Sequence, residues 1–403
     1  MPLLALWRSN PEAITKLSIE QIVATAGDGK LRDQSDTSSE LREYLAQIPS
    51  EKLGHYAEQC LEGSFQKSGL ALQDVVNELG RRLGFGVENG RYQGVVGGIG
   101  FDGIWRNPDG GNLVVEVKTT DAYRISLDTI ASYRRKLQDS GKVDFGASVL
   151  IIVGREDTGE LEAQVRGSRH AWDMRLISVD ALSALVKLKE NTEAGSTEQK
   201  IRSILSPREY TRLDGLIDVL FTAAKDVEVT VSIDQPAPTD SDDGDDGAGS
   251  GWRFTDPGTL NQVRQQVLEA LGKREGINFV KRSRALYSDV SHSIRAVCTV
   301  SKRYTKRGAT PYWYAYHPAW DIYLGEGAKG WLVLGCVDLN QAFAIPVDVM
   351  RAQLDKLNMT IKEDGSRYSH VKIVRMASDT YALQLPKVSG QLPLQRYALA
   401  IDP

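Results

Sequence analysis

Apolar residues at Leu72, Val75, Val76, Leu79 and Leu83 recur at i, i+3, i+4 and i+7. That spacing predicts a helix from about residue 70, and Gly84 stands where a glycine would end it. Two helices are expected before it. Thr37 and Glu40 have capping-box spacing ahead of LREYLAQI, and Ser50 follows Pro49 at the head of EKLGHYAEQCLEGSF. After Gly84 the pattern turns strand-like over 85–92, 101–106 and 112–119. A helix is predicted over 127–138, and the apolar run 147–154 reads as a buried strand. A helical stretch and a short strand at 174–179 follow. The order α-β-β-β-α-β-α-β predicts an α/β unit with a mixed sheet flanked by helices. Residues 180–226 look helical.

The pattern stops at DQPAPTDSDDGDDGAGSG, 234–251, which is rich in Asp, Gly, Ser and Pro. Such a stretch has too little apolar surface to fold and predicts a flexible, self-repelling linker. Three regions result: 1–233 with a core at about 70–180, the linker 234–251, and 252–403. The last predicts a helix over 260–273, then INFVKR, SIRAVCTVSKRY, YWYAYHP, GWLVLGCV, AFAIPV, HVKIVRM and TYALQLP as strands, with a second helix at 347–357. That is an α+β domain with a largely antiparallel sheet. No internal repeat is visible.

Composition excludes several classes. The 403 residues are 41% hydrophobic and 25% charged, ordinary for a globular protein of two or three domains. No apolar run approaches the ~18 residues of a membrane span, and the N-terminus lacks the basic start of a signal peptide. Cys60, Cys298 and Cys336 are too few for a disulfide framework or a Cys-rich zinc site, which points to a cytoplasmic protein. No nucleophile elbow, HExxH or Cys-His zinc spacing appears, and His292, His317 and His370 are too scattered to argue a metal site. The net charge of −4 hides an asymmetry: residues 1–234 carry −7, 235–251 carry −5 and 252–403 carry +8. Ten bases against two acids fall within 273–307, a local positive field that attracts polyanions.

The chemistry concentrates in FDGIWRNPDGGNLVVEVKTT, 101–120. Asn107, Pro108, Asp109, Gly110 and Gly111 are turn formers between two strands. With the turn centred on Asp109, residues whose numbers sum to 218 face each other, so Asp102 opposes Glu116. Side chains alternate along a strand, which puts Lys118 on the face of Glu116. Opposed like charges cost up to ~1 kcal/mol, and a divalent cation between them reverses the sign. Mg2+ (or Mn2+) suits one or two carboxylates completed by waters and substrate phosphate, and the carbonyl of Val117 is a further donor. Lys118 would orient or deprotonate the attacking water, or stabilise the transition state.

Asp102, Glu116-Val117-Lys118 and the preceding helix resemble the PD-(D/E)xK nuclease superfamily, the restriction-endonuclease-like fold. The resemblance covers roughly 70–180. Phe101 replaces the proline of the name-giving motif, as in many members. The resemblance implies a metal-dependent endonuclease, with Glu78 as an additional helix-borne acid. It does not extend to the C-terminal region.

Weaker candidates surround this centre. Thr119 and Thr120 end the strand. Tyr133, Arg134 and Arg135 lie on the following helix, where a side chain could reach phosphate. Residues 93–100, QGVVGGIG, form a Gly-rich approach to Asp102 without P-loop character. His170, beside Trp172, is expected to be structural. In the C-terminal region Lys281, Arg282, Arg284, Lys302, Arg303, Lys306 and Arg307 offer phosphate contacts. Tyr287, Tyr304, Tyr312, Trp313, Tyr314, Tyr316 and Trp320 offer stacking surfaces, although one face of YWYAYHPAW should be core. The expectation is an Mg2+-dependent DNA endonuclease in prokaryotic restriction or anti-phage defence, its C-terminal domain recognising target or trigger. Its partners would be DNA, a second copy of the chain, and an activating ligand or protein. The rivals are an RNase or repair nuclease, a non-catalytic nucleic-acid-binding protein, and a ligand-gated effector.

Overall fold

The computed structural model describes residues 2–62, 65, 67–92, 99–119, 125–154, 159–192, 195–206, 257–301, 312–339, 341–361, 367–376 and 380–401. The expected linker 234–251, residues 93–98 of the Gly-rich segment, Thr120, residues 207–226, and Lys302, Arg303, Tyr304, Lys306 and Arg307 lie outside them. The chain divides into two compact units, Met1–Val227 and Glu228–Pro403. Both mix helices with sheets. No helix among the described residues is long and apolar enough to cross a membrane.

The N-terminal unit opens with helices α1 (Pro2–Ser9), α2 (Pro11–Thr15), α3 (Ile19–Thr25), α4 (Asp36–Gln47), α5 (Ser50–Glu62) and α6 (Ser68–Arg82). Strands β1 (Gly86–Asn89), β2 (Gly103–Arg106) and β3 (Leu113–Lys118) follow. Then come α7 (Leu127–Asp139), β4 (Ser148–Val153), α8 (Gly159–Arg166), β5 (Met174–Ser178), α9 (Val179–Asn191) and α10 (Gly195–Leu205). The five strands form one sheet in the order β1-β2-β3-β4-β5, antiparallel up to β3 and parallel from there. The order expected from residue 70 onward is therefore observed, and Gly84 takes a φ of +84° just past α6.

The capping box of α4 is corrected. The cap is Ser35, whose Oγ accepts from the Ser38 amide at 3.2 Å. Thr37 and Glu40 are buried and serve α1 and the segment after α3 instead, with Glu40 accepting from the Leu4 and Gly27 amides at 3.1 and 2.8 Å. Helices α1–α3, which the pattern did not resolve, bury Leu3, Leu4, Trp7, Ile19 and Ile22 in the same core as α6.

Both faces of the sheet are covered, and alternation decides which residue sees which layer. Trp105, Leu113, Val115, Leu150 and Ile152 join the core built by Leu72, Val75, Val76 and Leu79 of α6. Ile104, Val114, Val149, Ile151 and Val153 face the other way, toward Leu127, Ile130, Ala131 and Leu137 of α7. β4 is buried along its whole length, as its unbroken apolar run predicts.

The C-terminal unit contains two sheets where one was expected. It comprises α11 (Pro257–Glu275), β6 (Val280–Lys281), β7 (Leu286–Ser288), β8 (Ile294–Ser301), β9 (Tyr312–Tyr316), α12 (Pro318–Gly325), β10 (Lys329–Cys336) and β11 (Gln341–Pro346). These are followed by α13 (Val347–Arg351), β12 (Met359–Ile361), β13 (Arg367–Arg375), β14 (Tyr381–Leu385), β15 (Gly390–Pro393) and β16 (Ala398–Ala400). A six-stranded sheet runs β16-β11-β10-β8-β7-β6 and includes one parallel pair, β8 with β10. A five-stranded antiparallel sheet joins β12, β13, β14 and β15, with β9 also on β13. One core lies between the sheets: Leu332, Leu334, Phe343 and Ile345 from the first, Tyr312, Tyr314, Val371, Ile373 and Leu383 from the second. Helix α11 covers the far face of the six-stranded sheet through Val267 and Leu271.

Candidate active site

The hairpin β2–β3 has the register that the turn chemistry predicts. Gly103 opposes Val115, Ile104 opposes Val114, and Trp105 opposes Leu113. Gly110 and Gly111 take φ of +89° and +78° in the turn, a region glycine enters without strain. One step further, the Asp102 amide donates to the Val115 carbonyl at 3.0 Å, which sets Asp102 across from Glu116. Past that pair β2 leaves the sheet, and the Asp102 carboxylate takes over the ladder: its Oδ2 accepts from the Val117 amide at 2.7 Å. The Gly154 amide donates to the Lys118 carbonyl at 3.0 Å, so Lys118 bonds toward β4. Peptide groups alternate along a strand, so Val117 points the opposite way, toward Asp102. Two carboxylates and one main-chain carbonyl thus gather at one strand end.

The electrostatics match this crowding. Burial, and then the Glu116 carboxylate, push the Asp102 carboxyl up to about 7, against the Val117 amide and Lys118, which favour its charged form. Lys118 Nζ sits 2.5 Å from Glu116 Oε1, both partly buried. By the alternation of β2 and β3, Asp102, Glu116 and Lys118 share the α7 face of the sheet with Ile104 and Val114.

That placement explains Glu78. Helix α6 packs on the opposite face, and both Glu78 oxygens are engaged there, by Arg82 Nε at 2.9 Å and Arg81 Nη1 at 3.3 Å. Arg82 also donates to Ser50 and to the Leu45, Ala46 and Ile48 carbonyls. The expected third acid is instead the centre of a buried network. What α6 gives the site is two amides: Gln73 Nε2 and Asn77 Nδ2 donate to the Asp102 carbonyl at 3.0 and 2.9 Å. Asn77 Oδ1 accepts from Trp105 Nε1 at 3.0 Å. The approach is close enough that a Cβ on Gly80 would come within 2.5 Å of the Trp105 ring. The sequence did carry a signal for this pair: two amides one turn apart among the apolar positions of a helix buried on nearly every side.

The remaining candidates separate. The Tyr133 ring borders the segment leading to Asp102, since a Cβ on Gly100 would meet it at 3.1 Å. Arg134 is committed to Asp173 at 2.7 Å and to the Ala147 carbonyl at 3.3 Å, a tie between α7 and the strand layer. Arg135 is exposed and Thr119 half-buried. His170 is buried with Nε2 2.8 Å from Asp128 Oδ1. Sequence reasoning missed Arg202 on α10, which reaches back to Asp109 at 2.7 Å and Asn107 at 3.2 Å and so fixes the hairpin turn. In the C-terminal unit Lys281, Arg282 and Arg284 are half-buried. Arg282 is held by Ser288 and the Asp289 carbonyl at 2.9 and 3.1 Å. Tyr312, Tyr314, Tyr316 and Trp320 are core.

Among the described residues no group of three or more His, Cys, Asp and Glu is placed to hold a metal ion. Asp102, Glu116 and the Val117 carbonyl form an all-oxygen set with few protein donors, which fits Mg2+ or Mn2+ with waters and phosphate completing the shell. Such a set does not suit zinc, which favours nitrogen and sulfur. No family model, no curated protein and no solved structure matches this chain.

Proposed function

We propose that the N-terminal unit is a divalent-metal-dependent endonuclease of restriction-endonuclease-like fold that hydrolyses phosphodiester bonds in DNA. The observation that carries the reading is the convergence of Asp102, Glu116 and Lys118 on one face of the β2–β3 hairpin. The perturbed Asp102 carboxyl supports it, since buried acids raised by a neighbouring acid cluster at functional sites. Asp102, Glu116 and the Val117 carbonyl would hold Mg2+, which supplies Lewis acidity at the scissile phosphate and at a coordinated water. Glu116 and Lys118 form an adjacent pair, so the ammonium is positioned to orient the attacking water or to meet charge developing on phosphorus. Gln73 and Asn77 keep Asp102 from swinging out with its strand end.

The C-terminal unit, with its surplus of positive charge, would recognise target or trigger. A place in prokaryotic defence fits a nuclease joined to a recognition unit. Cutting both strands of a duplex needs two centres, which a second copy of the chain would supply. The test is cleavage of plasmid, linear duplex, single-stranded DNA and RNA in Mg2+, Mn2+ or EDTA, with Lys118→Ala beside the wild type. Metal-dependent cutting of DNA, reduced at least a hundredfold in the variant, is expected. Cutting that survives Lys118→Ala would overturn the assignment, and cutting of RNA alone would transfer it to a ribonuclease.

A further inference from the structure

We infer that the outer face of the five-stranded sheet in the C-terminal unit is a stacking platform for the bases of single-stranded nucleic acid. The inference rests on reading this unit as a nucleic-acid recognition module, and not on the cleavage chemistry. Alternation fixes the two faces. Tyr312, Tyr314 and Tyr316 of β9, and Val371 and Ile373 of β13, point into the core between the sheets. Trp313, and Tyr368, His370 and Lys372, therefore point outward. None of these four belongs to either hydrophobic core of the unit, and all four are half-buried, so each keeps surface toward solvent.

The rings form one continuous cluster. Trp313 lies 6.1 Å from Tyr368 and 5.7 Å from His370, centroid to centroid, and Tyr368 lies 5.3 Å from His370. His317, at the start of α12, extends the cluster at 5.8 Å from Tyr368. Two hydrogen bonds lock the central rings. Trp313 Nε1 is 3.1 Å from His370 Nδ1, and the indole N–H can only donate, so Nδ1 accepts. Nε2 then carries the proton toward Thr360 Oγ1 at 2.7 Å. Rings fixed in this way lose little freedom when a base stacks on them.

Charge selects the occupant. The five strands contain no Asp or Glu, and of the cations on β13 Lys372 shares the outer face, while Arg367 and Arg375 have the parity of Val371 and Ile373. Lys372 sits directly opposite Trp313 in the β9–β13 register, a cation beside the largest ring. Aromatic rings with a lysine among them and no acids on the strands suit unpaired bases joined by phosphates. An apolar protein surface would gain nothing from that lysine. A paired duplex would not present its base faces.

The experiment is fluorescence anisotropy with labelled oligothymidine, oligouridine and a duplex of equal length. It uses the full chain carrying Lys118→Ala in EDTA, so that binding is read whether or not the protein cuts. Single strands should bind more tightly than the duplex. Trp313→Ala should weaken that binding on the order of tenfold or more, in line with the loss of one stacked base, and Trp313→Phe should restore most of it. Lys372→Gln, which leaves the rings in place, should lower the slope of log affinity against log salt by roughly 0.7, one phosphate contact. Unchanged affinity in both Trp313→Ala and Lys372→Gln, equal preference for the duplex, or no binding to any single strand would each overturn the inference. A cleavage assay that fails while Trp313-dependent binding persists would remove the nuclease reading and leave this one standing.

Discussion

Replacing Asp102 by Asn should make the metal-free protein more stable, and more so as pH rises. The Asp102 carboxyl stands at about 7 against an ordinary value of 3.8. Ionising it in the folded state at pH 8 therefore costs about 4 kcal/mol relative to the unfolded chain, at 1.36 kcal/mol per pKa unit. A raised acid favours the folded state most below its unfolded pKa, and that contribution is lost as pH climbs through about 7. At pH 5 the cost is only about 2 kcal/mol by the same arithmetic. Asn keeps the size and the oxygen that accepts from the Val117 amide but carries no charge. Thermal unfolding in EDTA should then show Asp102→Asn melting roughly 8 to 16 °C above wild type at pH 8, for a unit of this size, and about half that at pH 5. Adding Mg2+ at pH 8 should raise the wild type by binding linkage and leave the variant unmoved. A variant no more stable than wild type at pH 8, or one whose gain is the same at both pH values, would refute the picture of a buried carboxylate crowded by Glu116.

Two further outcomes follow from buried groups elsewhere. Glu78→Gln leaves Arg82 without its carboxylate in a fully enclosed network and should cost about 3 kcal/mol in urea unfolding. The Mg2+-induced stabilisation at pH 8 should persist in that variant, and its disappearance without a loss of stability would return Glu78 to the site. Burial raises the Cys60, Cys298 and Cys336 thiols to about 12. A thiol-disulfide dye should therefore react with none of them in the native protein at pH 8 and with all three in denaturant; fast native labelling would contradict their burial.

The hairpin was legible in the sequence because both of its determinants are local. Gly110 and Gly111 fix the turn, the turn fixes the register, and the register puts Asp102 across from Glu116. The order of helices and strands around it was legible for the same reason: apolar period reports which side of an element is covered. Which layer covers it is not a local property. Glu78 has the right sequence distance from the motif, but α6 packs on the face away from the carboxylates, and two arginines one turn further along claim it. Gln73, Asn77 and Arg202 act on residues 29, 25 and 93 positions away, beyond the reach of any spacing rule. In the C-terminal unit the individual strands were visible, but their division into two sheets depends on pairings such as β8 with β10 and β9 with β13. The intervening β12, β15 and β16, of three or four residues each, are too short to show a period.

Strand β3 distributes its residues by parity. Leu113, Val115 and Val117 pack toward α6 and hold the unit together, while Val114, Glu116 and Lys118 face the α7 side, where the carboxylates lie. Substitutions at 116 and 118 therefore change the carboxylate cluster without touching the layer that packs on α6. On the proposed reading, two changes would make the chain an inert reporter that still finds its ligand. On that reading, drift by the same route would turn cutters into binders while the architecture stayed unchanged.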